Sequence, residues 1–265
     1  MSKKLLTLSA ALLALSPAAA IAEDKPAQND VKIKLSTGFD YSTGDYGETE
    51  DTEIIYVPAT AKITSGNISG SLTVPHVRIK GPGAVIGGGD GAIQQSSGST
   101  TITTESGLGD VVAGLTYTFD IEKYNSYLDL TGKIKFPTGD EAKGLGTGEF
   151  DYTLLVDGTK MIGDAYVSAG VGHKFVGDSA ELDLSDIWLF NIGAGYQVTP
   201  KFGIGASYDY RQSAGSGENP SEATAYVTYK ITPSVNIQGY TVAGFSEGSP
   251  DNSIGLQLGY KFSPF

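Results

Sequence analysis

The residues of this sequence that could act on a ligand are charged side chains that recur two positions apart within apolar stretches. In residues 125–152, Asp129, Lys133 and Lys135 alternate with leucine, isoleucine and phenylalanine. Because successive side chains of a β-strand point to opposite faces, these charges share one face and the apolar residues share the other. Lysine on a water-filled face can attract a carboxylate, and aspartate can form an opposing wall. The spacing therefore predicts a strand that separates water from an apolar phase.

The same spacing puts further charged residues on the polar faces of other predicted strands. These candidates for a solute path through a lumen are Lys32, Lys34, Asp40, His76, Arg78, Asp151, Asp209, Arg211 and Lys230. We expect Arg78 to join Lys133 and Lys135 in a wall that attracts anions. The alternative is that the lumen charges pair with one another and fill a closed barrel, because the interior of a small barrel is only wide enough for side chains.

Alternating runs recur along the chain, and we count twelve of them between residues 31 and 262. Each run has about 9–13 residues, which is enough for a tilted strand to cross a bilayer. Short turns alternate with longer polar loops at 43–51, 81–106, 137–149, 177–186, 212–221 and 246–251. An even strand number with this asymmetry of connections is typical of outer-membrane barrels. The sequence therefore predicts an all-β fold, a transmembrane antiparallel β-barrel of about twelve strands over residues 31–265.

Aromatic residues concentrate at the two ends of the predicted apolar faces. A membrane barrel places such residues at headgroup depth, in two girdles. The predicted outer girdle includes Tyr41, Phe136, Tyr152, Trp188 and Tyr208, and the predicted inner girdle includes Tyr117, Tyr196, Phe202, Tyr229 and Tyr260. A secreted β-sandwich, the soluble alternative, would need neither the girdles nor the loop asymmetry.

Both ends of the chain carry features of export to an outer membrane. Lys3 and Lys4 precede an apolar stretch, and Ala20-Ile21-Ala22 fits a cleavage site, so residues 1–22 are predicted to be a signal peptide. Residues 23–30 would form a periplasmic lead-in. We expect the outer membrane of a Gram-negative bacterium as the location, with the bilayer and lipopolysaccharide as partners. The aromatic Phe265 predicts delivery by the outer-membrane assembly machinery through the C-terminal strand.

Composition argues against several classes of function. The chain has no cysteine, so it has no disulfide and no cysteine-based metal site. Its formal net charge of −12 argues against a nucleic-acid partner. We predict no metal site and no cofactor.

An enzyme is the rival class for a small outer-membrane barrel. His173 is predicted to face outward, but a hydrolase would also need a serine at the same depth on a neighbouring strand. The neighbouring strands offer none, so we predict no catalytic residues and no enzymatic activity. A structural or lipid-modifying outer-membrane barrel without transport stays the alternative function.

The 81–106 loop is the longest connection and is rich in glycine, serine and threonine. Such stretches rarely order themselves, so we expect a mobile external loop. The alternative is a constriction folded into the lumen.

Three motifs occur in a fixed order between residues 106 and 152. They are Ser106-Gly107-Leu108-Gly109-Asp110-Val111, Lys135-Phe136-Pro137-Thr138-Gly139-Asp140 and Leu145-Gly146-Thr147-Gly148-Glu149-Phe150-Asp151-Tyr152. With Val74-Pro75-His76-Val77-Arg78-Ile79 upstream, the set resembles the "MetA-pathway of phenol degradation" family of outer-membrane barrels. The resemblance implies a channel or transporter. We expect its solutes to be small, with aromatic and anionic compounds as candidates.

Overall fold

The computed structural model describes most of the chain from residue 31 onward. The described residues are 6–7, 12–13, 16–17, 23–24, 31–83, 85–88, 91–94, 101–179 and 182–262. Most of the predicted signal peptide and of the lead-in therefore lies outside the described residues, as does Phe265. The exceptions are four two-residue strands, in which Leu6–Thr7 pairs with Glu23–Asp24 and Leu12–Leu13 pairs with Ser16–Pro17. Within the described ranges, no helix is long and apolar enough to cross a membrane.

Twelve antiparallel strands form one closed barrel, as the sequence predicted. They are β1 Val31–Gly44, β2 Thr52–Ser65, β3 Ile68–Gly81, β4 Val111–Ile121, β5 Ser126–Phe136, β6 Asp151–Ile162, β7 Ala165–Phe175, β8 Ile187–Gln197, β9 Phe202–Arg211, β10 Ser221–Lys230, β11 Val235–Gly244 and β12 Asn252–Phe262. Each strand pairs with the next, and β12 pairs with β1, so the ring of twelve strands is closed. Lipid offers no hydrogen-bonding partner, so closure is what lets the strand backbones cross a membrane.

The two faces of the barrel differ in the way that the alternation predicted. Outward side chains are apolar and exposed, with Leu115 and Ile254 both 62% accessible. On β5, by contrast, Asp129, Lys133 and Lys135 point inward and are buried. An apolar surface of this extent on every strand suits hydrocarbon, because a soluble barrel would cover it.

The wall between β3 and β5 contains a bulge. A short strand, Thr103–Leu108, pairs with the outer half of β3, whereas β4 pairs with its inner half. Leu108 lies opposite His76 and Val112 lies opposite Thr73, so one extra residue is inserted between the two segments. A β-bulge of this kind re-aims a side chain, and here Asp110 becomes fully buried.

The outer end of the lumen is filled by two loops. Within the 81–106 loop, Val85–Gly88 pairs with Gly91–Gln94 as a hairpin, which we call the mouth hairpin. The 137–149 loop carries a 3₁₀ turn, Glu141–Lys143, and the backbone N–H of Gly87 donates to the carbonyl of Gly144 at 2.8 Å. The two loops are therefore joined to each other above the lumen.

Apolar contacts attach the mouth hairpin to opposite walls. Val85 packs in a buried cluster that holds Leu145 and the inward residues Ile54, Tyr56, Val77 and Ile79. Ile93 packs in a second cluster with Leu155, Ile187, Leu189 and Ala214. The expectation of a mobile external loop is wrong for the mouth hairpin, because these apolar side chains are buried against the lumen walls.

Candidate solute path

Lys135 lies at the centre of a buried ion-pair cluster near the outer end of the lumen. Its Nζ atom is 3.1 Å from Asp110 Oδ2 and 3.1 Å from Asp151 Oδ2, and it donates to Thr147 Oγ1 at 2.6 Å. Lys174 on β7 adds a second ammonium group, 2.9 Å from Asp151 Oδ2. The charge of Lys135 is thus balanced inside the protein, in a setting quite unlike an open wall that attracts anions.

Backbone and hydroxyl groups complete this cluster. Asp110 Oδ1 accepts a hydrogen bond from the backbone N–H of Gly139 at 2.9 Å. Thr138 Oγ1 donates to the carbonyl of Gly109 at 2.8 Å and accepts from the N–H of Val111 at 2.9 Å. The three sequence motifs therefore meet at one place, although they are separate in the chain.

Two glycines are required for this close approach. A Cβ atom on Gly146 would lie 2.4 Å from Asp110 Oδ1, and one on Gly139 would lie 2.3 Å from the carbonyl oxygen of Leu145. Both distances are far below van der Waals contact. The glycines of the motifs thus allow the 137–149 loop to lie against Asp110.

His76 and Arg78 are not in the lumen, which corrects their assignment as lumen residues. Both side chains are exposed on the outward face of β3, and their neighbours Val77 and Ile79 are 2% and 8% accessible on the inward face. The physical reason is that the inward face here packs on the apolar mouth hairpin. The outward polar residues then fit a stretch of wall above the hydrocarbon.

A row of acidic residues crosses several strands on the inward face. Cross-strand pairing aligns Asp129 with Asp157, and Asp209 with Glu222, with Gly170 and Asn191 between the two pairs. Asn191 donates to Asp157 at 3.1 Å, and Ser207 donates to Asp209 at 2.9 Å. We call this alignment the acidic row.

Two of the basic candidates, Arg211 and Lys133, lie close to these acids. Arg211 Nη1 is 3.5 Å from Glu222 Oε1, in a largely buried ion pair. Lys133 is buried on β5 and interacts electrostatically with Asp157. Lys230, the last residue of β10, is partly exposed on the inward face.

Among the inward tyrosines are Tyr166, Tyr226 and Tyr240, which sequence reasoning did not single out. Tyr240 donates to Asp40 Oδ2 at 2.8 Å, and the hydroxyls of Tyr166 and Tyr226 are hydrogen-bonded to each other. Each ring covers a glycine on an adjacent strand: Tyr166 covers Gly195, Tyr226 covers Gly205 and Tyr240 covers Gly255. The tyrosines therefore narrow the passage. The signal that could have found them is an inward tyrosine directly opposite an inward glycine.

The outer mouth is apolar and the lumen below it is charged. Tyr46, from the loop between β1 and β2, joins the apolar cluster at 2% accessibility, and burial raises the pKa of its phenol. From its outer end inward, the lumen thus holds an apolar section, then the Lys135 cluster, then the acidic row.

Comparison with known proteins fits this geometry. The family model described as "Putative MetA-pathway of phenol degradation" matches residues 24–264. The chain belongs to this family. In this member, the motifs at 106–111, 135–140 and 145–152 build the Lys135 cluster. None of the curated proteins compared with the chain is similar to it in sequence.

Solved structures share the fold of this family member at low sequence identity. An outer-membrane channel from Pseudomonas putida F1, assigned to COG4313, has 13% identity and a TM-score of 0.65, covering 90% of this chain and 97% of that one. The NanC porin has 10% identity and a TM-score of 0.55, covering 87% and 100%. The translocator domain of the autotransporter NalP from Neisseria meningitidis has 12% identity and a TM-score of 0.51, covering 89% and 90%. The fold is that of a Gram-negative outer-membrane barrel.

Proposed function

We propose that this barrel is an outer-membrane channel for small solutes, which enter at the apolar mouth and leave at the periplasmic end. The observation that supports the proposal most directly is the polar, charged lining of the lumen beneath a mouth closed by loops rather than by strands. A barrel with a purely structural role needs neither a charged lumen nor a separate closure of loops at its mouth. The most similar solved structures quoted above include one described as a channel and one described as a porin.

The mouth favours solutes that have an apolar body. Val85 and Ile93 lie in two apolar clusters on opposite walls, and transfer of an aromatic ring from water into such surroundings is favourable. The lumen is narrow, because a barrel of twelve strands encloses far less space than a porin of 16–18 strands. Small aromatic compounds are therefore the solute class that we propose.

The mouth hairpin would act as the element that opens. It is attached by a few apolar side chains and by Gln94, which donates to the carbonyl of Tyr46 and accepts from the N–H of Glu218 at 3.2 Å. Loss of these contacts would open the mouth without any change in the barrel wall.

Single-channel recording of refolded protein in a planar bilayer tests the proposal. We would compare the wild-type chain with the double variant Val85→Asp, Ile93→Asp, whose mouth hairpin should leave the lumen. The control is Ile102→Asp, an exposed residue of the same loop. We expect discrete conductance steps, which are larger or more frequent in the double variant. Silence from both proteins, when both are shown to be folded, would overturn the channel and favour a structural barrel.

We further propose lipopolysaccharide and the outer-membrane assembly machinery as partners. The outer loops carry exposed acids, such as Glu50 and Asp51, which divalent cations could bridge to phosphate groups of lipopolysaccharide. The last described strand, β12, has Leu258, Tyr260 and Phe262 on its outward face, which suits recognition by the assembly machinery. Replacement of Phe262 by serine should slow assembly in vivo, and unchanged assembly would exclude this residue as the signal.

A further inference from the structure

Tyr46, in the loop between β1 and β2, places its side chain inside the lumen. Its ring belongs to the apolar cluster of the mouth, with Ile54, Tyr56 and Val85, and is 2% accessible. The φ angle of Tyr46 is +49°, in the left-handed region, which is uncommon for a bulky residue. Strain of this kind persists only where the surroundings hold it, and it concentrates at ligand clamps and switch regions. The loop thus inserts an aromatic residue into the lumen at a conformational cost.

The hydroxyl end of Tyr46 reaches polar groups below the apolar cluster. It lies beside Ser42. It also interacts electrostatically with Asp40, Glu222 and Arg211. Glu222 and Arg211 form an ion pair at 3.5 Å, so these two side chains together have no net charge. Asp40 adds one negative charge, and the groups around the head of Tyr46 therefore carry a net negative charge.

Asp40 has one carboxylate oxygen in use and one without a partner. Tyr240 donates to Oδ2 at 2.8 Å, whereas Oδ1 is buried and accepts no hydrogen bond from any described residue. Apart from Tyr46, the groups that interact with this carboxylate are the hydroxyl of Tyr240 and the side chain of Glu222. Neither group is a cation. Because buried polar atoms in proteins nearly always have a hydrogen-bond partner, Oδ1 is suited to a donor that the described residues do not provide.

Small residues lie next to Asp40 on the inward face. Gly255 on β12 is directly opposite Asp40, and Ser253 is directly opposite Ser42. The Oγ atom of Ser253 is also buried and has no partner among the described residues. A serine hydroxyl can both donate and accept. A carboxylate oxygen, a hydroxyl and small neighbours together suit a compact head group that has several N–H donors.

Tyr46 is joined to the mouth hairpin as well as to the lumen wall. Gln94 donates to its carbonyl, and Val85 packs in the same apolar cluster. A Cβ atom on Gly47 would lie 2.9 Å from Gln94 Nε2, so the hairpin lies directly against this loop. Release of the mouth hairpin would remove contacts that hold Tyr46 in its left-handed conformation. Opening of the mouth and withdrawal of Tyr46 would therefore occur together.

We propose that the pocket filled by Tyr46 is a binding site for an aromatic amine, and that Tyr46 occupies this site when the mouth is closed. The inference rests on the proposed channel function and specifies its solute. The ring of the solute takes the place of the Tyr46 ring in the apolar cluster, and the ammonium group donates to Asp40 Oδ1. Charge-assisted hydrogen bonds of this kind are roughly twice as strong as neutral ones. Tyr56, directly opposite Asp40, offers a ring for cation–π attraction, whereas Asp40 repels a carboxylate.

The test uses full-length refolded barrel and benzylamine, which is positively charged at neutral pH, as the probe. Benzyl alcohol and benzoate are the neutral and the negative comparison probes. Asp40→Asn removes the charge and keeps the shape of the side chain. The matched control is Asp178→Asn, in an exposed position of the loop between β7 and β8. Heat-modified mobility on gels establishes that each variant is folded.

The readout is the concentration of each probe that halves the single-channel conductance. In the wild-type protein, we expect benzylamine to block at a lower concentration than benzyl alcohol or benzoate. Asp40→Asn should raise the half-blocking concentration of benzylamine by about tenfold, as the loss of a charge-assisted hydrogen bond implies, and should not change that of benzyl alcohol. Asp178→Asn should behave as the wild-type protein. An unchanged value for benzylamine in Asp40→Asn would overturn the inference and leave the channel intact.

A second variant tests whether Tyr46 competes with the solute. Tyr46→Ala removes the ring from the pocket, so benzylamine should bind more tightly and the channel should open more often. The control is Tyr124→Ala, which removes an exposed ring from a periplasmic turn. Binding to Tyr46→Ala that is no tighter than to the wild-type protein would overturn the competition.

Failure of the channel itself would give a different result. If folded wild-type protein does not conduct, calorimetric titration of the detergent-solubilised Tyr46→Ala barrel with benzylamine still decides the inference. Binding that is lost when Asp40→Asn is added, and kept when Asp178→Asn is added, would support the site. No binding to the Tyr46→Ala barrel would overturn it.

Discussion

Lys135 Nζ lies 3.1 Å from Asp110 Oδ2, and these two side chains are only 2% and 0% accessible. The contact joins a strand of the barrel wall to the bulge between β3 and β4. Asp110 also accepts a hydrogen bond from the N–H of Gly139, so the ion pair attaches the 137–149 loop to the wall. Its loss would therefore affect both the stability of the barrel and the closure of the mouth.

Replacement of Lys135 by methionine should destabilise the barrel, because it leaves the carboxylates of Asp110 and Asp151 buried without their shared cation. Removing one partner of a buried ion pair typically costs about 3–5 kcal/mol. Urea-induced unfolding of refolded barrel in detergent measures the change. The control is Lys143→Met, because Lys143 and its partner Asp140 are about half exposed, and exposed pairs contribute about 1 kcal/mol or less. Equal stability of the two variants would contradict a structural role for the cluster.

Replacement of Gly146 by alanine should displace the 137–149 loop, because the new Cβ would lie 2.4 Å from Asp110 Oδ1. We expect a larger single-channel conductance and faster proteolysis of the loop. Gly70→Ala is the matched control, since a Cβ at Gly70 meets nothing within 4 Å. If both alanine variants behave alike, the loop does not depend on this contact.

The double replacement Tyr166→Ala, Tyr226→Ala should widen the lumen, because the two hydrogen-bonded rings lie inside it. Conductance should increase for both small and large ions, and the permeability cutoff in liposome swelling should move to larger sugars. Tyr117→Ala, on the outward face at 42% accessibility, is the control for the loss of an aromatic ring. An unchanged cutoff in the double variant would mean that the passage is narrowest elsewhere.

Replacement of Val156 by arginine should oppose insertion, because Val156 faces outward near the middle of β6. A basic residue at the bilayer midplane costs about 2–4 kcal/mol, and one near an interface costs about 0–1 kcal/mol. Ile162→Arg, which also faces outward but lies at the periplasmic end of the same strand, is the matched comparison. Folding titrations in lipid vesicles measure both values. Equal costs would mean that β6 crosses the membrane at a different depth.

The facing of side chains was predicted correctly from the sequence for β5 but not for the outer half of β3. On β5, strict alternation of charged and apolar residues gave the correct inward positions of Asp129 and Lys133. On β3, the residues after Pro75 were assigned to the wrong faces, although Ser69, Ser71 and Thr73 already indicate that odd-numbered positions face inward. Side-chain polarity misleads where a strand extends beyond the hydrocarbon, because water is then on the outside and packed loops are on the inside.

By itself, the sequence determined the strands, their order, the closed barrel and the family, because a side-chain period of two is a local property and the motifs are contiguous. Only the tertiary structure decided which groups meet in the lumen. Lys135 with Asp110, Tyr240 with Asp40, and Val85 with Ile54 come together through barrel closure and loop docking. The physical reason is that such contacts depend on cross-strand register and on the space inside the barrel, and neither is a property of any single stretch of chain.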